Sequence, residues 1–249
     1  MPIIVKSDEE IGIMREAGHI VAQMLQLLAE RLRPGLVEGE LDEIVRREFA
    51  RRGVTPTFLG YLGYPATVCV SVNDEIVHGI PGDRVIQDGD IVSIDLGCTH
   101  KGFVADTTVT VGVGKISPKA ERLIAVTKEA LARGIGAARA GVRLGEIGAA
   151  IQTYVEGEGF SVVREYVGHG VGREMHEDPQ VPNFGSPEQG PVLRKGMVLA
   201  IEPMVNAGEW RTKRDPDNWT VRTLDGSLSA HFEHTIAITD GEAEVLTLA

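Results

Sequence analysis

"DGDIVSID", residues 88–95, and "KGMVLAIE", residues 195–202, are one pattern written twice. At an offset of 107, Gly89 meets Gly196, Ile91 meets Val198 and Ile94 meets Ile201. Each stretch opens after a glycine, runs through apolar and β-branched residues, and closes on a carboxylate: Asp95 in one, Glu202 in the other. Such runs read as core strands.

The repetition extends upstream. "RPGLVEGELDEIVRREFARRGV" (33–54) aligns with "RAGVRLGEIGAAIQTYVEGEGF" (139–160) at an offset of 106. Gly35, Gly39, Glu40 and Gly53 meet Gly141, Gly145, Glu146 and Gly159, and Leu41, Val45 and Phe49 meet Ile147, Ile151 and Val155. Each copy reads as an amphipathic helix ended by glycine. Each follows another helical stretch, about 8–32 and 118–139, with Ser7 and Ser117 as caps. Two segment pairs in the same order at nearly the same offset imply duplication. The expectation is an α+β chain, one domain over 1–249, with pseudo-symmetric halves of about 1–112 and 113–249. Their strands meet in a central, mainly antiparallel sheet with helices packed outside.

Bulk properties exclude several classes. The chain has 249 residues, 43% of them hydrophobic, enough for a large core. Net charge is −11 without a Lys/Arg block, which argues against gripping nucleic acid or anionic lipid through the whole surface. "RTKR" (211–214) reads as a solvated loop. Cys69 and Cys98 lack CxxC spacing, so neither a disulfide framework nor a thiolate zinc site is expected, and a reducing compartment fits. "MPIIVKSDEE" is no secretory signal, and no run approaches the roughly 18 apolar residues of a membrane span. A cytoplasmic protein is expected.

Carboxylates stand where a core should be. In "DIVSIDLGCTHKGFVADTTVTV" (90–111), a hairpin centred between His100 and Lys101 sets Asp95 directly across from Asp106. "MVLAIEPMV" (197–205) and "AHFEHTIAIT" (230–239) read as two further strands, carrying Glu202 and Glu233. Any one of these acids could turn outward or pair with arginine. Four in matching core strands, without an embedded Lys or Arg, call for cations, because unpaired buried charge is costly. Two divalent ions would balance four carboxylates.

"GHGVGREMHEDPQVP" (168–182) lies between the ligand strands, and its glycines and prolines deny it a helix. A lone histidine there is ordinarily structural or superficial. Beside an oxygen-rich site, His169 becomes a ligand delivered from a strand edge, its glycines letting backbone approach the metals, while His176 flanks the site. One imidazole among carboxylates favours Mn, Fe(II), Co or Zn over Ca.

These residues resemble the five-ligand signature of the dinuclear pita-bread metallohydrolases. "YPATVCVSVNDEIVHGIPG" (64–82), "DGDIVSIDLG", "GHGVGREMHEDPQVPN", "IEPM" and "SLSAHFEHTIAIT" resemble methionine aminopeptidase, type I, and the likeness runs from about residue 5 to the end. It implies a single catalytic domain of pita-bread fold that hydrolytically removes the initiator methionine from nascent chains and peptides with a small second residue. Asp95, Asp106, His169, Glu202 and Glu233 would hold two divalent ions, Co, Mn, Fe(II) or Zn, with Asp106 and Glu233 bridging. A hydroxide held between the ions would attack, Glu202 would carry the proton, and His176 and His78 would face the substrate. Tyr61, Tyr64, Cys69, Met175 and Trp219 would line the methionine pocket. Phe58 stands where many bacterial members have cysteine, and Met175 where phenylalanine is frequent. His169 to Glu202 spans 33 residues and Glu202 to Glu233 spans 31, leaving no room for the type II insertion. No Cys/His-rich extension is expected before residue 1, nor the N-terminal domain of a prolidase or aminopeptidase P. The implied partners are nascent polypeptide N-termini, met by a monomer, with a transient ribosome contact open and neither nucleic-acid specificity nor membrane. A binding protein with a dead site is disfavoured because all five ligands are present. A purely structural metal is disfavoured because such sites are saturated by protein ligands.

Overall fold

A computed structural model describes residues 2–249. The first half contains α1 (Asp8–Arg31), α2 (Glu38–Arg52), β1 (Thr55–Pro56), β2 (Cys69–Val72), β3 (Glu75–Val77), β4 (Ile91–His100) and β5 (Phe103–Gly112). The second contains α3 (Pro118–Ala137), α4 (Gly145–Gly157), β6 (Ser161–Val162), β7 (Gly168–Gly170), β8 (Glu177–Val181), β9 (Val198–Ile201), β10 (Met204–Asn206), β11 (Thr212–Arg214), β12 (Val221–Thr223), β13 (Ser229–His231), β14 (Glu233–Ala237) and β15 (Glu244–Val245).

The helices begin where their caps dictate. Ser7 accepts from the Glu10 N–H while the Glu10 carboxylate accepts from the Ser7 N–H, a reciprocal capping box. Ser117 caps α3, and Pro118 occupies its first turn, where no N–H is needed. α1 buries Met14, Ala17, Val21, Met24, Leu25 and Leu28, a stripe at helical spacing.

The duplication is written in backbone hydrogen bonds as well as residues. The Gly35 N–H donates to the Ile86 carbonyl and the Ile86 N–H returns to Leu36; the Gly141 N–H donates to Leu193 and the Leu193 N–H returns to Val142. Isolated bridges join Val37 to Val85 and Arg143 to Val192. Gly39 and Gly145 pack against backbone from the following loop, where a Cβ would lie 3.3 Å from the Gly82 carbonyl oxygen and 2.1 Å from that of Ser186.

Strands from both halves form one nine-stranded sheet in the order β1-β4-β5-β14-β9-β7-β8, with β2 also on β4 and β15 also on β14. Every pairing is antiparallel. Helices cover one face. Val92, Ile94, Leu96 and Cys98 of β4 pack with Val21, Met24, Leu28 and Phe49; Leu199, Ile201 and Ile236 pack with Leu123, Ile147 and Ile151. Full burial of each such side chain contributes about 1.5–3 kcal/mol. Two three-stranded sheets, β13-β10-β6 and β11-β12-β3, complete the fold.

Three details differ from the sequence expectation. The β4–β5 hairpin centres one residue later, so His100 pairs with Phe103, Asp95 with Thr108, and Gly97 with Asp106. Lys101 and Gly102 form the loop, both at positive φ (48° and 79°), as a type I′ turn requires. The stretches 197–205 and 230–239 are each two strands, broken at Glu202–Pro203 and at Phe232, so the first passes from the large sheet to a small one and the second passes back. Proline at 203 lacks the N–H that would continue the ladder. Finally, β7 is interior rather than an edge. Gly168 and Gly170 admit neighbouring backbone, not metal: a Cβ there would lie 2.3 Å from the carbonyl oxygens of Ala200 and Asp178.

Candidate metal centre

A row of cross-strand partners carries most of the site. Cys69 lies opposite Asp95, Asp95 opposite Thr108, and Thr108 opposite Glu233. On the far side of β14, His234 lies opposite Ile201, and His169 opposite Ala200. Side chains two residues apart share a face. Asp106 therefore shares the face of Thr108, and Glu202 that of Ala200. The intervening residues carry the helical layer, so the pleat delivers Asp95, Asp106, His169, Glu202 and Glu233 to the face away from the helices.

Threonines fix β5 to β14. Thr107 Oγ1 donates to the Glu233 carbonyl, Thr235 Oγ1 to the Asp106 carbonyl, each at 2.8 Å, and Thr108 Oγ1 to Glu233 Oε2 at 2.9 Å. Asn183 Nδ2 donates to the Glu202 carbonyl, anchoring the chain where β9 ends. The His169 Nδ1–H faces the Gly170 carbonyl at 2.9 Å, which leaves the Nε2 lone pair, on the side of the carboxylates, available to a cation.

Asp106, His169 and Glu233 each offer a ligand atom within 4.8 Å of the other two. Asp95 and Glu202 stand outside that triad; Glu202 Oε1 is 3.7 Å from His169 Nε2. Asp95 Oδ1, Asp106 Oδ1 and Glu233 Oε1 are buried without a hydrogen-bond partner. Burial pushes all four acids above the usual carboxylate range. Repulsion from Glu233 and then Asp95 adds to the shift at Asp106, and repulsion from Glu202 and then Asp95 adds to it at Glu233. Burial pushes His169 down to about 3, so its imidazole is neutral at physiological pH. Orphaned carboxylate oxygens around one bare imidazole nitrogen fit divalent transition ions.

The cavity over this cluster is lined by every residue singled out from the sequence: Phe58, Tyr61, Tyr64, Cys69, His78, Met175, His176 and Trp219, besides the five already placed. Phe58, Tyr64, Cys69 and Met175 are buried in one apolar cluster that Tyr61 and Trp219 join. Tyr64 meets Trp219 edge-on at 5.1 Å and Phe58 at 6.5 Å. Gly97, opposite Asp106, makes room for Phe58; a Cβ there would lie 2.9 Å from its ring. Burial raises the Cys69 thiol well above its usual range, keeping it a neutral wall. His78 sits at φ 61° before Gly79, where any Cβ would strike the Val70 carbonyl; burial lowers its pKa to about 4. Tyr61 Oη lies 2.7 Å from His176 Nδ1, and the His176 ring is 4.3 Å from that of His169.

Sequence reasoning missed residues that line the same cavity. Leu62, Tyr166 and Met204 are among them, and so is His231. His231 is 2% exposed and lies two residues before Glu233, a spacing that could have flagged it.

The chain matches the profile "Metallopeptidase family M24" over residues 12–240. It is 55% identical over 245 residues to methionine aminopeptidase 1 of Bacillus subtilis (strain 168), covering 98% of this chain and 99% of that one. It is 47% identical to the methionine aminopeptidase of Escherichia coli (strain K12), covering 100% and 95%. The crystal structure of methionine aminopeptidase from Thermotoga maritima superimposes with a TM-score of 0.98 at 48% identity, covering 99% of this chain and 100% of that one. Prolidase from Pyrococcus furiosus shares the fold at a TM-score of 0.79 and 26% identity, covering 99% and 66%.

Proposed function

The chain belongs to metallopeptidase family M24, and from that premise we infer that it is a metalloexopeptidase that hydrolytically removes N-terminal methionine, as its relatives' names state of them. The observation that carries the site assignment is the set of orphaned carboxylate oxygens beside His169 on the floor of an apolar cavity.

Asp95, Asp106, His169, Glu202 and Glu233 would hold two divalent cations. When bound, such cations lower the pKa of water and polarise a carbonyl. Glu202 accepts the proton of the attacking water and passes it to the leaving amine. His176 Nδ1 accepts a hydrogen bond from the Tyr61 hydroxyl, which leaves its Nε2–H to donate to the developing oxyanion. His78 contacts the peptide beyond the scissile bond. The methionine side chain packs among Phe58, Tyr61, Tyr64, Cys69, Met175 and Trp219, where a thioether finds aromatic edges and soft neighbours. Mn, Fe(II), Co and Zn all suit this donor set. The proposal extends to nascent chains as substrates in the cytoplasm, met transiently at the ribosome, by a monomer acting as one catalytic domain. Among the described residues no helix is long and apolar enough to cross a membrane.

The test is the metal-free protein titrated with each of the four cations on Met-Ala-Ser, with an Ala-Pro peptide as control. Methionine release that saturates near two cations per chain, with no cleavage of the control, is expected. No release with any cation overturns the assignment.

A further inference from the structure

His231 sits on β13, directly opposite Met204 of β10. Its backbone is pinned from the large sheet: the His231 N–H donates to Thr110 Oγ1, and Thr110 Oγ1 donates to the His231 carbonyl, each at 2.8 Å. The imidazole is thus held rigidly, yet it is 2% exposed and neither ring nitrogen has a hydrogen-bond partner. An unpaired buried polar group is costly, so the surroundings should contain what the ring addresses. They do: Nε2 lies 3.5 Å from Glu202 Oε2. The other oxygen of the same carboxylate, Oε1, lies 3.7 Å from His169 Nε2. The two oxygens of Glu202 therefore face two different imidazoles. His169 Nδ1 is engaged by a carbonyl, so its Nε2 is a lone pair and cannot steady Glu202. His231 has no such engagement and is free to carry its proton on Nε2.

We propose that His231 is a positioning residue of the metal centre: its Nε2–H holds Glu202 Oε2, so that Oε1 stays turned toward His169 and the cation both would share. The inference rests on the metallopeptidase reading of this site. It adds a second imidazole, one that acts through Glu202 rather than on a cation.

The test compares His231→Leu with His231→Gln, whose amide keeps a donor. Supporting partners of metal ligands are worth about 10–100-fold in metal affinity or activity. His231→Leu is expected to weaken cation binding by calorimetry by about that factor. It should lower kcat with little change in KM, and alter the visible absorption of the Co(II)-loaded protein. His231→Gln should restore most of the affinity and the Co(II) spectrum. A folded His231→Leu protein with unchanged affinity and an unchanged Co(II) spectrum overturns the proposal. If His231→Leu does not fold, the 15N imidazole spectrum of the zinc-loaded, unsubstituted chain decides, with the signal assigned by its loss in His231→Gln. A protonated Nε2 supports the role; an Nε2 without a proton, metal-bound or bare, overturns it. Methionine release by the unsubstituted chain is scored separately, so failure of the peptidase reading is distinguishable from failure at His231.

Discussion

His169 and His176 are seven residues apart and stand ring to ring, yet their hydrogen bonds give them different work. His169 spends Nδ1 on a backbone carbonyl and turns Nε2 to the acids. His176 spends Nδ1 on the Tyr61 hydroxyl. His176→Ala should therefore lower kcat by about 10²–10³, the usual loss of one oxyanion donor, while metal content stays at the unsubstituted level. Tyr61→Phe should lower it by about tenfold at most, since one hydrogen bond contributes about 1 kcal/mol. Steady-state kinetics with elemental analysis checks both, and loss of metal from His176→Ala would move that residue into the cation cluster. At this scale the acids were legible because a carboxylate inside an apolar, β-branched run conflicts with its surroundings. His231 carried only its spacing of two from Glu233 as a signal, because a single histidine flanked by "SA" and "F" is also an ordinary strand residue. Only the return of β10 against β13 shows that it faces Glu202.

Among elements, the segment before α1 is tied to the loop that carries His176. Lys6 Nζ donates to Glu177 Oε2 at 2.6 Å, with both side chains at most 4% exposed. Glu177 Oε1 accepts the Arg173 and Glu174 N–H groups, which closes the loop from 172 to 177 into one conformation. Lys6→Met leaves the Glu177 carboxylate buried without its cation, and loss of one partner of a buried pair costs about 3–5 kcal/mol. Urea denaturation of the two proteins measures it; a difference below about 1 kcal/mol would mean that water replaces the Lys6 ammonium at Glu177. No pattern in "KSDEE" announces this contact, because Lys6 and Glu177 lie 171 residues apart. The helices were legible through caps and periodicity. The β4–β5 register was not, since lysine is an uncommon first residue for a type I′ loop and the glycine alone allowed two centrings. The break at Phe232 was likewise hidden, because an apolar residue there suits a continuous strand, whereas Pro203 is itself the signal of the break after Glu202.

At the scale of the whole molecule, the duplication explains why the centre needs both halves. The first half contributes Asp95 and Asp106 from one hairpin; the second contributes His169 from β7, Glu233 from β14, and Glu202 from the break that follows β9. The sheet that joins them brings four carboxyl groups to one cavity. In the metal-free fold burial raises all four carboxyl pKa values, so the stability linked to them is present at low pH and is lost as pH rises through those raised values. The buried histidines slope the other way. His78, His231 and His234 are lowered to about 4 and His169 to about 3, so stability linked to them is lost as pH falls below their unfolded value near 6.5. Above about pH 6.5 the histidines no longer contribute a slope, and the groups with raised values set it: the four acids together with Glu38, raised by burial to about 7, and the buried Cys69 and Cys98 thiols. The metal-free protein should therefore melt at a lower temperature at pH 8.5 than at pH 6.5. Cations compete with protons for the same oxygens and bind only the folded chain, so the rise in Tm on adding Mn should be larger at pH 8.5. Differential scanning calorimetry at both pH values, with and without Mn, measures the two effects. Equal shifts at the two pH values would show that these acids are already ionised without cations. The cluster would then owe its charge balance to some other group of the fold.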